Sequence, residues 1–179
     1  AKYKGKNIGT IGDVGVFSLN VNKTIQVGEG AVCLTNDEEL RYRLALIRNH
    51  GEAVVGPAGY ENITNIVGFN YRLTEIGAAL ALEQLKRLDD LNQIRIDLID
   101  ILNQGFRKHE GLVAAPRCSH GYEEDGCHST YYIYPLRFLP DVLGITRDHF
   151  VQAVNAEGIK FFQGYVQPLY LQPIYQQKL

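Results

Sequence analysis

With 179 residues, 45% of them apolar and 21% charged, the chain has enough apolar surface for a packed core, as one sizeable domain or two small ones. Its 18 basic and 20 acidic residues leave a formal net charge of −2, which supplies no electrostatic grip on nucleic acid or an anionic membrane. No run of about 18 apolar residues is present, and the opening "AKYKGKNIG" lacks the apolar stretch of a secretory signal, so neither a membrane span nor export is expected and the location reads as cytoplasmic.

The first elements are two β-branched, apolar runs, "VGVFSL" (14–19) and "AVCLT" (31–35), expected as buried strands joined by a polar, Gly-bearing turn. That turn carries Lys23. "NDEELRYRLALIRNHG" then reads as a helix: Asn36 as cap, Glu39 three positions on, Leu40, Leu44 and Ile47 along one face, and His50 and Gly51 at its close. The stretch 51–68 is rich in Gly and Asn, has no sustained period and is longer than most connections, so it is expected near a functional site.

Thr74 and Glu75 open a helical pattern that runs almost to Gly111, with Leu80, Leu85, Leu88, Leu91, Ile94, Leu98, Ile101 and Phe106 as its apolar positions. It is one long helix or two in series, roughly 50 Å long if continuous at about 1.5 Å per residue. Such a length suits a connector between two lobes, with the boundary near residue 92: residues 1–91 in one domain and 92–179 in the other. In the second lobe, 130–138 reads as a strand, 146–158 as a helix capped by Thr146 and ended by Gly158, and "IKFF" (159–162) as a further strand, giving a small α+β lobe. Pro168 and Pro173 make the tail "YVQPLYLQPIYQQ" a loop.

Taken alone, Lys23 is a solvated lysine at a hairpin tip, the ordinary fate of a loop lysine. Its neighbours suggest more. Gly12, Gly15, Gly28 and Gly30 flank the segment and permit close backbone approach to a ligand, and Ser18 lies five residues before Lys23. A lysine that condenses with an aldehyde and a serine that holds a phosphate suit a phosphorylated aldehyde cofactor. Two other motifs carry less. "CSHGYEEDGCH" sets Cys118, His120, Cys127 and His128 close together, but adjacent Cys127 and His128 do not fit the paired spacings of a zinc site, and no metal is assigned. With Cys33 far from the other two cysteines, no disulfide framework is expected. "GEG" lacks the cradle of a phosphate-binding NTPase loop.

The run "GDVGVFSLNVNKTIQVGEGAVCLTND", followed in order by "RNHG", "GFNYRLTEIGAALALEQLKRLD" and "GYVQPLYLQPIY", resembles the DegT/StrS family of sugar aminotransferases, pyridoxal-phosphate enzymes of fold type I. The resemblance implies an α/β fold: part of a large lobe with a mixed sheet, a long connecting helix and a small α+β lobe. It implies pyridoxal 5′-phosphate as cofactor, Lys23 as the lysine joined to it and as the acid and base of the proton shift, Ser18 on its phosphate, and Asn70 reaching the phosphate of the neighbouring subunit in a homodimer. Arg72 is open between a substrate phosphate and a surface acid. Outside the resemblance, Asn70 reads as a helix-entry or turn residue.

Many relatives have His where this chain has Tyr170, so any substrate contact there rests on stacking or one hydrogen bond. The implied reaction moves an amino group from Glu or Gln to a keto group of a nucleotide-linked sugar or cyclitol, in polysaccharide, lipopolysaccharide or secondary-metabolite synthesis. The alternative is a non-catalytic regulatory or dimerisation member. Dehydratases of the family carry His at the lysine position, which sets this chain apart from them. The resemblance also places the acidic partner of the cofactor's ring nitrogen upstream of Ala1 and further strand and helix after Leu179. The absence of Met points the same way. The segment by itself is therefore expected to lack turnover.

Overall fold

The computed structural model describes residues 1–51, 66–115, 126–164 and 166–177. The chain forms two compact units, Ala1–Ile101 with Pro116–Tyr134, and Leu102–Ala115 with Pro135–Leu179. The division at Ile101 falls later along the chain than residue 92, and 116–134 groups with the first unit. Most of the 51–68 stretch, together with Cys118 and His120, lies outside the described residues.

The first unit opens with a hairpin, β1 (Lys2–Tyr3) against β2 (Lys6–Asn7), turned through Lys4 and Gly5 at positive φ. Next, β3 (Gly15–Ser18) pairs antiparallel with β4 (Ala31–Leu34), in register from Gly15↔Leu34 to Ser18↔Ala31. Both strands lie within the runs that predict them, but they are not buried: only Gly15 is, while Val16, Phe17, Val32 and Leu34 face solvent. A β-branched run fits a pleated surface, but its burial depends on a layer packed against it. Every strand pairing among the described residues is antiparallel and two strands wide, so the expected mixed sheet is not formed by them.

Helix α1 (Glu38–Arg48) is capped one residue later than the sequence suggests, by Asp37, whose Oδ1 accepts from Leu40 N at 2.9 Å. Asn and Asp cap equally well, so propensity does not choose between them. Leu46 is its buried side chain, and the expected face of Leu40, Leu44 and Ile47 is half-buried. On the exposed side Arg41 donates to both carboxylate oxygens of Glu38, at 2.7 and 3.0 Å, which holds the Glu38 carboxyl below its ordinary range and raises Arg41.

The long pattern resolves into two helices in series, α2 (Glu75–Leu85) and α3 (Leu88–Phe106), parted at Lys86–Arg87. Thr74 caps α2, its Oγ1 accepting from Gly77 N at 3.1 Å. Helix α3 departs from expectation in its orientation. Ile96, Ile99 and Asn103, one stripe at helical spacing, are its buried residues, while Leu91, Ile94, Leu98 and Ile101 are exposed. Periodicity identifies a helix, but with apolar side chains on more than one face it does not say which face is covered.

The second unit takes the end of α3, where the buried Asn103 side chain donates to Ala115 O at 3.3 Å. It pairs β5 (Leu112–Val113) antiparallel with β6 (Arg137–Phe138), then adds α4 (Pro140–Leu143) and α5 (Arg147–Ala156). Thr146 caps α5 as expected, accepting from His149 N at 3.2 Å, and Gly158 follows its end at positive φ. Phe150 on α5 packs against Phe138 and meets Phe161 edge-on, with ring centroids 5.1 and 6.1 Å away.

Three expectations fail here. Of 130–138 only Arg137–Phe138 is strand, because the backbone turns at Tyr131 (φ 49) and Pro135 offers no N–H. "IKFF" is not a strand: the Asn155 side chain accepts from Phe161 N at 2.8 Å and donates to Phe161 O at 3.3 Å, occupying groups a neighbouring strand needs. The tail contains a 3-10 turn over Leu169–Leu171 and a short helix, α6 (Pro173–Gln176), which Pro173 opens, as Pro does at a first helical position.

Candidate functional site

Beyond β3 and β4 the backbones stay paired for a few residues, through Leu19 N to Gly30 O at 2.8 Å, Val27 N to Leu19 O at 2.9 Å and Val21 N to Gly28 O at 2.7 Å. Gly28, at φ 91, takes a backbone conformation that a side chain would strain. What remains is a tight loop with Lys23 in it. Lys23 N donates to Asn20 O at 2.9 Å, Asn20 Oδ1 accepts from Asn22 N at 3.0 Å, and Asn20 Nδ2 donates to Glu29 Oε1 at 2.6 Å. The loop is thus braced by its own amides before any other element touches it.

Two helices then hold it. On α2, the Gln84 side chain accepts from Gln26 N at 3.0 Å and donates to Gln26 O at 2.6 Å, a two-point grip on one peptide position. On α3, Arg95 Nη2 donates to Thr24 Oγ1 at 3.0 Å, and Nη1 to Thr130 O at 3.4 Å. The Lys23 ammonium lies over the Tyr132 ring, 4.1 Å from its centroid. Among the described residues Lys23 Nζ has no carboxylate or hydrogen-bond acceptor as partner, and the side chain is half-buried. Such an amine, fixed at its base and not committed to an ion pair, is suited to add to an aldehyde. Ser18, exposed at the end of β3, accepts from Asn20 N at 3.3 Å and keeps its hydroxyl proton to donate to an anion. These residues fit a phosphorylated aldehyde such as pyridoxal phosphate.

Asn70 and Arg72 lie on a second feature, where two of the sequence blocks meet. Phe69 N donates to Ile47 O at 2.7 Å, His50 N to Phe69 O at 3.0 Å and Tyr71 N to Arg48 O at 2.9 Å, so "GFNYR" zips along "RNHG" at the end of α1. Asn70 stands opposite Asn49 in this bridge, exposed, and its side chain has no hydrogen-bond partner among the described residues. Among the described residues Arg72 pairs with no carboxylate; its Nη1 donates to Asn49 Oδ1 at 2.8 Å. Tyr170 belongs to the second unit, in the 3-10 turn, 67% exposed as a residue and with its carbonyl accepting from Gln176 Nε2. Sequence reasoning missed Gln84, Arg95 and Tyr132. Only the polar break that Gln84 makes in the apolar run "GAALALEQL" was visible beforehand.

The chain matches the profile of the DegT/DnrJ/EryC1/StrS aminotransferase family over residues 1–179. It is similar to the GDP-perosamine synthase of Caulobacter vibrioides, 33% identical over 175 residues that cover 98% of this chain and 44% of that protein. Among solved structures it resembles a DegT DnrJ EryC1 StrS aminotransferase from Brucella abortus, 28% identical, with a TM-score of 0.78 over 97% of this chain and 42% of that one. It also resembles the Escherichia coli GDP-4-keto-6-deoxy-D-mannose-3-dehydratase with bound hydrated pyridoxal phosphate, 26% identical, TM-score 0.72, covering 89% of this chain and 42% of that one. The chain spans a little under half the length of the curated relatives it matches. Its fold is part of the fold-type I pyridoxal-phosphate architecture, and the chain belongs to the DegT/DnrJ/EryC1/StrS aminotransferase family.

Proposed function

We propose that the complete protein is a pyridoxal-phosphate-dependent aminotransferase that moves an amino group from Glu or Gln to a keto group of a nucleotide-linked sugar or cyclitol. The observation that carries this reading is Lys23, half-buried in a loop braced from α2 and α3, with its amine over a ring face and, among the described residues, in no ion pair. When bound, the cofactor supplies an electron sink for the charge left at the substrate carbon as its proton departs. Lys23 would hold the cofactor through its amine at the aldehyde carbon and, once the donor's amino nitrogen displaced it there, the same amine would carry the proton between the two carbons of the shift. Ser18 donates its hydroxyl to the phosphate. Asn70, exposed and with no side-chain hydrogen bond among the described residues, reaches the phosphate of a second subunit in a homodimer, and the exposed apolar stripe of α3 supports association of copies.

Arg72 and Tyr170 contact substrate in this reading, Arg72 by exchanging Asn49 for an anionic group. Among the described residues no helix is long and apolar enough to cross a membrane. The reading extends to a cytoplasmic enzyme acting in polysaccharide, lipopolysaccharide or secondary-metabolite synthesis. The family's dehydratases offer a different outcome from a related scaffold.

The test is to supply the full-length protein with pyridoxal phosphate, glutamate or glutamine, and a panel of nucleotide-linked keto sugars and keto cyclitols, and to analyse products by mass. An amino product is expected. Lys23→Ala should lower its formation by more than about a hundredfold, since a group that moves protons contributes at least that much, with circular dichroism unchanged. A deoxygenated product without nitrogen would overturn the aminotransferase reading.

A further inference from the structure

Residue Lys23 is flanked by two contacts that trace to a single side chain. The next residue, Thr24, accepts from Arg95 Nη2 at 3.0 Å, and Thr130, two positions before the ring that underlies the Lys23 ammonium, accepts from Arg95 Nη1 at 3.4 Å. The guanidinium is itself aimed by Asn92 Oδ1, which accepts from Nη1 at 3.3 Å across one turn of α3. Arg95 is half-buried, next to Ile96 on the helix, so its fork is offered from a packed element rather than a mobile one. A planar guanidinium with donors at fixed angles ties two acceptors at a set separation, which a lysine ammonium does not do.

We propose that Arg95 is a positioning residue for Lys23: by holding Thr24 with one nitrogen and Thr130 with the other, it fixes the lysine loop and the Tyr132 platform relative to each other. The proposal rests on Lys23 being the lysine that joins the cofactor. Its consequence is geometric. An amine held at its base by Thr24 and at its tip by a ring face samples few directions, and an attacking group that is already oriented reacts faster than one that must be found among many rotamers. Nothing in the α3 pattern read as a helix requires an arginine at this position, and Arg95 makes no ion pair among the described residues, so surface electrostatics do not account for it.

The experiment uses the full-length protein stripped of cofactor. Two quantities are measured: amide hydrogen exchange over residues 20–27 without cofactor, and the rate at which added pyridoxal phosphate becomes covalently bound to Lys23, followed by absorbance and by borohydride trapping at timed intervals. Arg95→Gln should speed exchange in the loop and slow bond formation about tenfold, in line with the loss of charge-assisted hydrogen bonds. Thr24→Val, which keeps shape and loses the acceptor, should slow it about threefold to fivefold by the same reasoning, and Thr24→Ser should restore the rate. The double variant Arg95→Gln with Thr24→Val should be no slower than Arg95→Gln alone, because the two act through one contact. If Arg95→Gln fails to fold, the Thr24 pair still decides. Wild-type bond formation in Thr24→Val, or equal slowing in Thr24→Ser and Thr24→Val, overturns the proposal. A wild-type protein that forms no bond at Lys23 overturns the cofactor reading instead, while the exchange measurement still reports whether Arg95 holds the loop.

Discussion

Gly68 lies where a methyl group has no room: a Cβ there overlaps Gly51 N and the His50 carbonyl carbon. This close crossing lets "GFNYR" run along "RNHG" and brings Arg72 to Asn49. Gly68→Ala should therefore push the two segments apart and destabilise the protein by about 1–3 kcal/mol, as overpacking of a tight contact does. Urea denaturation of the full-length protein measures it, and an unchanged midpoint would show that the crossing yields without strain. At this scale the sequence is partly legible. Lys23 and Ser18 stand out by residue type and by the glycines around them, and Thr74 and Thr146 announce the helices they cap. Arg95 and Tyr132 do not, because what distinguishes them is a partner 71 residues away for Arg95 and a ring face over a distant loop for Tyr132. No local pattern encodes either.

At the scale of elements, the helices were legible and their orientations were not. Capping is local chemistry, so α2 and α5 begin where Thr74 and Thr146 say they do. Burial is not local: α3 covers Ile96, Ile99 and Asn103 and leaves the more conspicuous stripe of Leu91, Ile94, Leu98 and Ile101 exposed. Short strands were the weakest expectation, since Asn155 satisfies the backbone of Phe161 from within its own turn and leaves "IKFF" nothing to pair for. Helix α2 acts on the site through one residue, Gln84, whose amide mimics a neighbouring strand toward Gln26. Gln84→Ala removes both bonds at once. Amide hydrogen exchange at Gln26 should then accelerate, with a loss of about 1–2 kcal/mol of local protection for two exposed hydrogen bonds. Unchanged protection would mean that the loop's internal amides brace it unaided.

For the whole molecule, the exposed strands β3 and β4 and the exposed stripe of α3 belong to a chain a little under half the length of its matched relatives. Family membership was legible because four motif blocks fall in order along nearly the entire sequence. That two of them, "RNHG" and "GFNYR", meet in space was not. The division into units was less so: it falls inside α3, a helix whose sequence has no break at that point, and one later segment returns to the first unit.

In the proposed enzyme, Lys23 is the residue that holds the cofactor. Borohydride reduction of the full-length protein loaded with pyridoxal phosphate, followed by peptide mass analysis, tests it most directly. The pyridoxyl mass is expected on the peptide bearing Lys23 and is expected to be lost in Lys23→Ala. A label on any other lysine, retained in that variant, would contradict it.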